Sequence, residues 1–414
     1  MSEHINNDNK VSIGLAKALS LTLEHVHPLS GETVDLSAAV ARILAGAVTA
    51  LVDSPSIHAS LKDGYAVVSQ DICNASEQNP IRLQQREQLA AGEQRYVSVT
   101  PGNAVRVLTG AKLPVGADAV VAEEFVRSER GVITVMADAE AGRNILPQGS
   151  DVEKGSVIAE KGDRISPGLL GLIAAAGHSQ VHVVRNPDVA IIATGDEVVA
   201  PGQPLVEGKL YASNLTCLSA WCSRYGFSTR LAIVPDRFDE ILQSLSEAVT
   251  TSDAIITSGG AWTGDRDLVA KVLGKLGWHQ LFHRIRIGPG KAVGFGILQE
   301  KPVFILPGGP PSNLMGFLQI ALPGLLTLGG DNQTSLPRLV VKIDRDLTSR
   351  FARWTQFIYG DLIYSPDQQF PLFVPMLEKS RLRSMAQAKA IVTIPEKETC
   401  ISKDSIVFAQ YLDF

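Results

Sequence analysis

The sequence lacks the features that mark secreted, membrane and nucleic-acid-binding proteins. It has 4 cysteines among 414 residues, and they show none of the paired spacings of a zinc site. We therefore expect reduced thiols and a cytoplasmic protein. The formal net charge of -5 and the lack of a polybasic segment argue against a nucleic-acid binder or a membrane-surface protein. Any anionic ligand must then be held by local donors.

Long apolar runs are also missing. The first residues, MSEHINNDNK, are polar and lack the apolar core of an export signal. The longest apolar stretch, 315–328, is interrupted by Gln319 and Pro323 and is too short to span a bilayer. It predicts a buried helix that is broken at the proline. We expect no membrane association.

What is present is the composition of a soluble globular protein, with 45% hydrophobic residues and a length that predicts two to four domains. The pattern predicts a multidomain α/β plus β fold. Its regions are an N-terminal region at 10–184, an α/β domain at 185–330 and a small, barrel-like β domain at 335–414. Within the first region, linking parts at about 10–52 and 148–184 flank an inserted β-rich domain at about 53–147.

Three helices are predicted in the linking parts. Apolar periodicity indicates two of them, at 11–21 and 34–44, the second with Asp35 or Ser37 as its N-cap. The third is predicted at 166–178, where serine and proline begin it and glycine ends it.

Strands and helices alternate through the α/β domain. The predicted strands are 189–193, 229–234 and 254–257, and the predicted helices are 214–225, 238–249 and 266–276. Alternation implies parallel strands with right-handed helical crossovers, a three-layer α/β domain. Residues 292–306 break the alternation and predict a hairpin around a Gln-Glu-Lys turn.

Three glycine loops in this domain carry the strongest functional information. They read TGDEV at 194–198, SGGAWTGDRD at 258–267 and LPGGPPS at 306–312, and each follows an apolar run. Because the carboxyl ends of parallel strands meet at one edge, where open α/β folds bind ligands, we expect the loops to lie together. Glycine lets backbone N–H groups approach phosphate closely. The loops predict a phosphorylated ligand held with a metal.

The first loop combines donors with carboxylates. Thr194 and Gly195 offer a hydroxyl and backbone N–H groups, while Asp196 and Glu197 place negative charge beside the expected anion. Carboxylates repel phosphate unless a divalent cation lies between them. The alternative is that Asp196 caps a turn and Glu197 is solvated.

The second loop supplies a tight turn and an acidic helix start. Its candidate ligand-binding residues are Ser258, Gly259, Gly260, Gly264 and Asp265. Acidic residues in a first helical turn can simply stabilise the helix dipole. Both loops leave strands of one sheet, however, so Glu197 and Asp267 could bracket one metal ion.

The third loop and a nearby turn add a hydroxyl and a cation. The candidates are Pro307, Gly308 and Ser312 of the loop and Pro289, Gly290 and Lys291 of the turn. Ser312 suits a helix N-cap or a phosphate donor. Lys291 is the best-placed cation for a phosphate, although a lone lysine is commonly a solvated surface charge.

The first half of the chain is less informative. Asp63 begins a β-run in an Asp-Gly pair, which is also a common turn. The glycine-punctuated segment 108–124 has no role that spacing reveals. The eight histidines form no ligand pair on one helical face, and we interpret them as structural.

The motifs together, in this order, resemble those of the MoeA family of molybdopterin molybdenumtransferases, related to the E domain of gephyrin. The segments that carry the resemblance are DGYAV at 63–67, LTGAKLPVGADAVVAEE at 108–124, TGDEV at 194–198, Ser213-Asn214, SGGAWTGDRD at 258–267, PGKAVGFG at 289–296 and LPGGPPS at 306–312. The resemblance covers essentially the whole chain and is thinner after residue 330.

The resemblance implies an elongated, four-domain homodimer whose α/β domain is similar to the molybdopterin-adenylyltransferase fold. The implied substrates are molybdate and adenylyl-molybdopterin. Mg²⁺-dependent cleavage of the adenylate would insert molybdenum and release AMP. The adenylyltransferase and molybdoenzyme chaperones are implied as further partners.

The resemblance also assigns residues. Asp63 and Thr109 match positions of the insertion site, contributed across the dimer cleft, and Asp151 matches an acidic position of the same region. Glu197, Asp236 and Asp267 match acidic positions of the α/β domain, and Lys291 matches its phosphate-side lysine. Ser213 and Asn214 match a ligand-binding motif, and Arg350 and Ser380 match motif positions of the last domain.

The glycine loops and the nearby turn depart from the family pattern at three places. Ala261-Trp262-Thr263 replaces Val-Ser-Val, Gly288 stands where a lysine is usual, and Gly309-Pro310-Pro311 replaces Asn-Pro-Val. They leave open a diverged paralogue that binds or carries molybdopterin without insertion, and a gephyrin-like scaffold dimer. A stand-alone adenylyltransferase would leave the first 180 or so residues unexplained.

Overall fold

A computed structural model describes residues 13–260, 268–349, 351–376 and 381–413. In the N-terminal region, some elements precede an inserted sheet in the sequence and others follow it. They are the helices Leu15–His25, Leu36–Ala38 and Pro167–Ala175 and the strands Gly31–Asp35, Val48–Thr49, Ala59–Ser60, Ile145–Leu146, Val157–Ala159 and Gln180–Val184. The helix predicted at 166–178 is confirmed, and the Ser166 hydroxyl caps it by accepting from Leu169 N at 3.1 Å.

The helix predicted at 34–44 is wrong. Strand Gly31–Asp35 pairs antiparallel with Gln180–Val184, and only the short turn Leu36–Ala38 is helical. The β-branched Thr33 and Val34 favour an extended chain that gains a sheet partner. Ala41 then takes a positive φ of 65°, which a helix cannot accommodate.

The inserted region forms a six-stranded sheet. In spatial order its strands are Ala119–Ala122, Gly64–Val67, Asn103–Val107, Ile81–Leu89, Val132–Val135 and Val126–Glu129. Short helical turns occur at Ser69–Ile72 and Glu123–Phe125. Tyr65, Val67 and Ile133 are buried in one of the apolar clusters of this region. The predicted β-rich character of the region is confirmed.

The central domain contains a second six-stranded sheet, which positions the glycine loops. Its strands, in spatial order, are Ser228–Val234, Asp188–Thr194, Ala254–Ser258, Lys301–Leu306, Gly294–Leu298 and His279–His283. The first four run parallel and the last two are antiparallel additions. The predicted hairpin is confirmed, with Gln299 and Glu300 at positive φ in its turn.

Helices cover both faces of this sheet. They are Ser213–Arg224, Phe238–Thr251, Leu268–Lys275, Pro310–Gly316 and Leu322–Leu328. One apolar cluster contains Leu215, Phe304 and Leu322, and the other contains Leu245, Val272 and Ile305. Since Phe304 and Ile305 are neighbours on one strand, the two clusters lie on opposite faces. The predicted three-layer α/β arrangement is confirmed.

The predicted break at Pro323 is wrong. A π-helical segment, Phe317–Ala321, joins Pro310–Gly316 to Leu322–Leu328 without interruption. Wider i→i+5 bonding before the proline accommodates its missing N–H donor, so the helical path continues. The segment is buried almost throughout, as predicted.

The C-terminal region closes a five-stranded barrel, which confirms the predicted barrel-like domain. Its strands, in closing order, are Thr355–Ile363, Leu372–Pro375, Arg338–Ile343, Ile406–Tyr411 and Ala390–Ile394. Closure removes the free strand edges. Short strands Leu347–Thr348 and Cys400–Ile401 pair beside it, and helix Arg381–Gln387 contacts both the barrel and the central domain.

All four cysteines are free thiols. Cys222 is fully buried, and this burial raises the pKa of its thiol to about 12. Within the described ranges, no helix combines the length and the apolar character needed to cross a membrane.

Candidate functional site

The three glycine loops meet at the carboxyl edge of the central sheet, as predicted. Ser258 is in register with Ala193 on one side and with Leu306 on the other. Gly259 N donates to Leu306 O at 3.0 Å, and Gly195 N donates to Val234 O at 3.2 Å. Neighbouring strand ends therefore place the loops side by side.

Gly259 requires glycine for two independent reasons. Its φ is +105°, and a Cβ there would lie 2.5 Å from Thr194 O. We expect Gly259→Ala to lower the free energy of unfolding by about 1–3 kcal/mol, because backbone strain and a steric clash add. Urea unfolding measures the loss. Gly309→Ala is the matched control, since its Cβ would meet no atom within 4 Å; equal losses in both variants would contradict the explanation.

A cavity of about 1320 Å³ lies between this sheet edge and the barrel. The predicted site residues that line it are Thr194, Glu197, Ser213, Asn214, Ser258, Gly259, Pro289, Gly290, Lys291, Pro307, Gly308 and Ser312. Gly195, Asp196 and Gly260 are sequence neighbours of lining residues. The cavity is large enough for a dinucleotide-sized ligand.

The Pro289–Lys291 turn is fixed by pairing with the barrel. The short strand Ile287–Gly288 runs parallel to the start of Thr355–Ile363, with Gly288 opposite Gln356. Arg286 strengthens this junction, since its Nε donates to Arg353 O at 3.1 Å and its guanidinium pairs with Glu396 at 3.0 Å. The two domains therefore hold the walls of the cavity in a defined arrangement.

Two side-chain amides hold the Ser258 hydroxyl in place. Its Oγ accepts from Asn214 Nδ2 at 3.2 Å and from Asn313 Nδ2 at 3.0 Å. Each amide also donates to a backbone carbonyl, Gly308 O or Pro307 O, which fixes the amide orientation. Since both lone pairs of Oγ are occupied, the Ser258 proton is left to point at a third group.

A second hydroxyl lies at the next strand end. Thr194 is only 3% exposed, and its Oγ1 has no hydrogen-bond partner among the described residues. A buried polar group without a partner is costly, and here the cost falls on a residue that lines the cavity. Ser258 and Thr194 therefore place two hydroxyl side chains at the loops.

The charged side chains that line the cavity are mostly cationic. In the described part of the chain they are Arg284, Lys291 and Arg381, against the single carboxylate of Glu197. Lys291 Nζ lies 5.6 Å from the centre of the Trp354 ring, which also lines the cavity. The cavity thus provides the local positive charge that an acidic chain needs for an anionic ligand.

We expect Lys291→Ala to weaken nucleotide binding roughly 10- to 100-fold, since a hydrogen bond to a charged group contributes about 1.5–3 kcal/mol. Calorimetric titration with ADP measures the change. Lys275→Ala is the matched control, because Lys275 Nζ also contacts an aromatic ring, 5.0 Å from the centre of Phe238, but does not line the cavity. Unchanged affinity in Lys291→Ala would remove this lysine from the site.

Two further carboxylates, Asp196 and Asp236, lie near Glu197. Asp236 N donates to Asp196 Oδ1 at 3.3 Å, and burial, then the Glu197 and Asp196 carboxylates, raise the pKa of Asp236. Glu197 folds back over Gly195, whose Cβ would lie 2.6 Å from Glu197 Oε2. Repulsion among these carboxylates would be relieved by a cation.

Within the described ranges, no three acidic, histidine or cysteine side chains are close enough together to hold a metal by themselves. Mg²⁺, however, is commonly held by one or two carboxylates together with ligand phosphates. The oxygen donors of Glu197 and Asp236 therefore fit this ion. The predicted Glu197–Asp267 metal site stays a prediction, because Asp267 lies outside the described residues.

Asp63 and Thr109 form a separate pair on the inserted sheet. Thr109 N and Oγ1 both donate to Asp63 Oδ1, at 2.7 and 2.8 Å. These bonds, the backbone one first, lower the pKa of the exposed Asp63 carboxyl. The carboxylate is therefore kept ionised, with Oδ2 free of these bonds. Neither residue lines the cavity of its own chain.

Asp151 is exposed on the loop that follows strand Ile145–Leu146, and it does not line the cavity either. Asp53, which sequence reasoning missed, anchors that loop. Its carboxylate accepts from Lys154 N at 2.8 Å and from Gln148 Nε2 at 2.7 Å. We interpret Asp53 as a positioning residue.

Comparison with known proteins identifies the family. The sequence profile described as "MoeA N-terminal region (domain I and II)" matches residues 13–177. A second profile, described as "Probable molybdopterin binding domain", matches residues 190–327. A molybdopterin molybdenumtransferase of Bacillus subtilis is 32% identical over 378 residues, which cover 88% of this chain and 86% of that protein.

The chain belongs to the MoeA family. A molybdopterin molybdenumtransferase of Haemophilus influenzae is 34% identical, over 78% of this chain and 79% of that protein. The crystal structure of a molybdopterin biosynthesis MoeA protein from Pyrococcus horikoshii superposes with a TM-score of 0.81 at 31% identity, covering 97% of this chain and 99% of that one. The MoeA fold thus extends over nearly all of the described chain, including the barrel.

Five site residues predicted from the MoeA resemblance and the loop pattern lie outside the described residues. They are Gly264, Asp265, Asp267, Arg350 and Ser380. The altered segment Ala261-Trp262-Thr263 also lies there. These positions stay predictions.

Several lining residues were not found by sequence reasoning. They are Arg284, Phe351, Trp354, Gln356 and Arg381. Four of the five belong to the C-terminal region, where the resemblance to the MoeA motifs is weaker. The pairing of Gly288 with Gln356 brings this region to the loops, and no local pattern indicates that pairing.

Proposed function

We propose that this MoeA-family transferase inserts molybdenum from molybdate into adenylyl-molybdopterin, with Mg²⁺-dependent release of AMP. The observation that carries the proposal is the cavity, in which glycine loops, the Ser258 and Thr194 side chains and three cations lie with the Glu197 carboxylate. A pyrophosphate suits the donors and cations, and the carboxylates suit a divalent cation beside it.

The residues of the chain have separable tasks in this reaction. Ser258, Thr194 and Lys291 bind and orient the phosphates, while Glu197 and Asp236, with Asp267 as a further predicted ligand, would hold Mg²⁺. When bound, Mg²⁺ would offset the charge that develops as a P–O bond of the pyrophosphate bridge breaks. The oxygen that replaces that bond comes from water or molybdate, and AMP leaves.

The insertion step needs residues that the cavity of one chain does not contain. Asp63 and Thr109, together with Asp151, would be supplied by a second copy of the chain across a dimer cleft. Their place on the inserted sheet, outside the cavity lining, supports a contribution from the partner. The adenylyltransferase would provide the substrate, and molybdoenzyme chaperones would receive the product.

The carrier alternative is favoured by Gly288, which leaves one lysine fewer in the cavity than the family pattern. Purified protein incubated with adenylyl-molybdopterin, Mg²⁺ and molybdate distinguishes the alternatives. Insertion predicts AMP release with formation of the molybdenum cofactor. Binding without AMP release would favour the carrier, and no binding of molybdopterin or its adenylate would favour a scaffold.

A further inference from the structure

Several exposed apolar side chains line the cavity, although its charged groups suit a polar ligand. They are Leu210, Tyr211, Phe351 and Leu382. Phe351 is the most exposed of the four, at 59%. Scattered apolar side chains are common on protein surfaces, but several of them inside one ligand-sized cavity indicate that part of the ligand is apolar. Phosphate groups alone would leave this surface uncovered.

Phe351 packs against a second aromatic side chain of the cavity wall. Its ring centre lies 5.8 Å from that of Trp354, and the two ring planes are inclined by 42°. Trp354 in turn lies against Lys291, whose Nζ is 5.6 Å from the centre of the indole ring. Trp354 thus connects the phosphate-side lysine to Phe351. A ligand that carries a flat ring near its phosphates would be able to contact Lys291 and Phe351 together.

The loop that carries the two rings is anchored through its backbone. Trp354 N donates to Phe351 O at 3.0 Å, which closes a turn. Thr355 N donates to Arg286 O at 3.1 Å, and Arg286 Nε donates to Arg353 O at 3.1 Å. Among the described residues, the apolar clusters of the central domain and of the barrel do not include Phe351. The Phe351 ring is therefore held at the cavity wall in advance of binding, which lowers the entropic cost of ordering it.

We propose that Phe351, supported by Trp354, is a ligand-binding residue that stacks on a flat nitrogen heterocycle of the substrate. Adenylyl-molybdopterin has two such rings, the adenine and the pterin, and both present the same chemistry to an aromatic side chain. The proposal rests on the proposed function, because it assigns a further contact in the same cavity. Stacking covers the exposed face of Phe351 and tolerates either heterocycle.

The test uses calorimetric titrations with three ligands. ADP carries the adenine, molybdopterin carries the pterin without the adenine, and inorganic pyrophosphate carries neither ring. Phe351→Leu removes the aromatic ring but keeps an apolar side chain, and Phe351→Trp keeps an aromatic ring. Phe408→Leu is the matched control, because Phe408 is 67% exposed on the barrel and does not line the cavity.

We expect Phe351→Leu to weaken the binding of ADP or of molybdopterin roughly 5- to 100-fold, the usual effect of removing one stacking side chain. The affinity for pyrophosphate should stay natural, as should all affinities in Phe351→Trp and Phe408→Leu. The melting temperature of Phe351→Leu should not change, because the side chain is exposed. Loss for ADP alone identifies the adenine, loss for molybdopterin alone identifies the pterin, and loss for both shows that Phe351 accepts either ring.

Natural affinity for ADP and for molybdopterin in Phe351→Leu, while Lys291→Ala loses affinity for ADP, would overturn the role of Phe351 and leave the proposed function standing. An equal loss for pyrophosphate, or a loss that Phe351→Trp shares, would also contradict it, since either result indicates a general disturbance of the cavity. If the natural chain binds neither ADP nor adenylyl-molybdopterin, the proposed function fails together with this inference.

Discussion

Replacing Asp63 by alanine is expected to lower the rate of molybdenum insertion by about 10²–10⁴-fold, the usual contribution of a positioned acid–base group. The affinity for adenylyl-molybdopterin should stay nearly unchanged. The reason is the separation of tasks: Asp63 is an ionised, exposed carboxylate held by Thr109, and it does not line the nucleotide cavity of its chain. Insertion rate and ligand affinity are measured on the same preparation.

A matched control for Asp63 is Asp71→Ala. Asp71 lies on the same inserted domain, and its carboxylate also accepts a backbone N–H, from Gly102 at 2.7 Å. Its removal should leave insertion unchanged. Equal loss of insertion and of binding in Asp63→Ala would contradict the division of tasks.

Mixing two inactive variants tests whether Asp63 acts across a dimer. Asp63→Ala and Glu197→Gln chains would form mixed dimers in which one of the two sites is intact, so roughly a quarter of the natural activity should return. No recovery after confirmed subunit exchange would place Asp63 and Glu197 in the same chain's site.

Replacing Glu197 by glutamine is expected to lower Mg²⁺-dependent AMP release by about 10²-fold or more, because the Mg²⁺ that would offset the developing charge loses a carboxylate ligand. Nucleotide affinity without Mg²⁺ should instead stay equal or rise. Glu197 is the single described carboxylate among the lining residues, and it repels a phosphate when no cation lies between them. The rate of AMP release is measured at saturating Mg²⁺, and the nucleotide affinity is measured by titration with ADP in the absence of Mg²⁺.

A lower rate of AMP release together with an equal or higher nucleotide affinity distinguishes a metal ligand from a solvated residue. Glu207→Gln is the control, because Glu207 is an exposed glutamate further along the same segment. It should change neither quantity. A Glu197→Gln variant with natural AMP release would remove Glu197 from the metal site.

Much of the fold could be predicted because its elements are locally encoded. The apolar runs that end in glycine loops determine the parallel strands, and the Gln-Glu-Lys turn determines the hairpin. The strand at Gly31–Asp35 could not be predicted in this way, because its partner Gln180–Val184 is distant in sequence and overrides local helix propensity. The uninterrupted helix at Pro323 depends on a π-helical segment that no residue pattern predicts.

The candidate site likewise contains residues that could be predicted from the sequence and residues that could not. Ser258 and Thr194 could be found because they end strands of one sheet, and Lys291 because it lies in a Pro-Gly turn next to a strand. Trp354 could not, because its place depends on the pairing of the barrel with the Gly288 turn. The orientation of the Ser258 hydroxyl depends in turn on two amides, Asn214 and Asn313, that are about 100 residues apart.

The location of a bound substrate tests the central claim most directly. A crystal structure of Asp63→Ala with adenylyl-molybdopterin should show the intact ligand, because this variant is expected to bind without inserting. We predict that its pyrophosphate lies at the three glycine loops, within hydrogen-bond distance of Ser258 Oγ and near Lys291. A fully occupied ligand outside the cavity between the central sheet and the barrel would contradict the account.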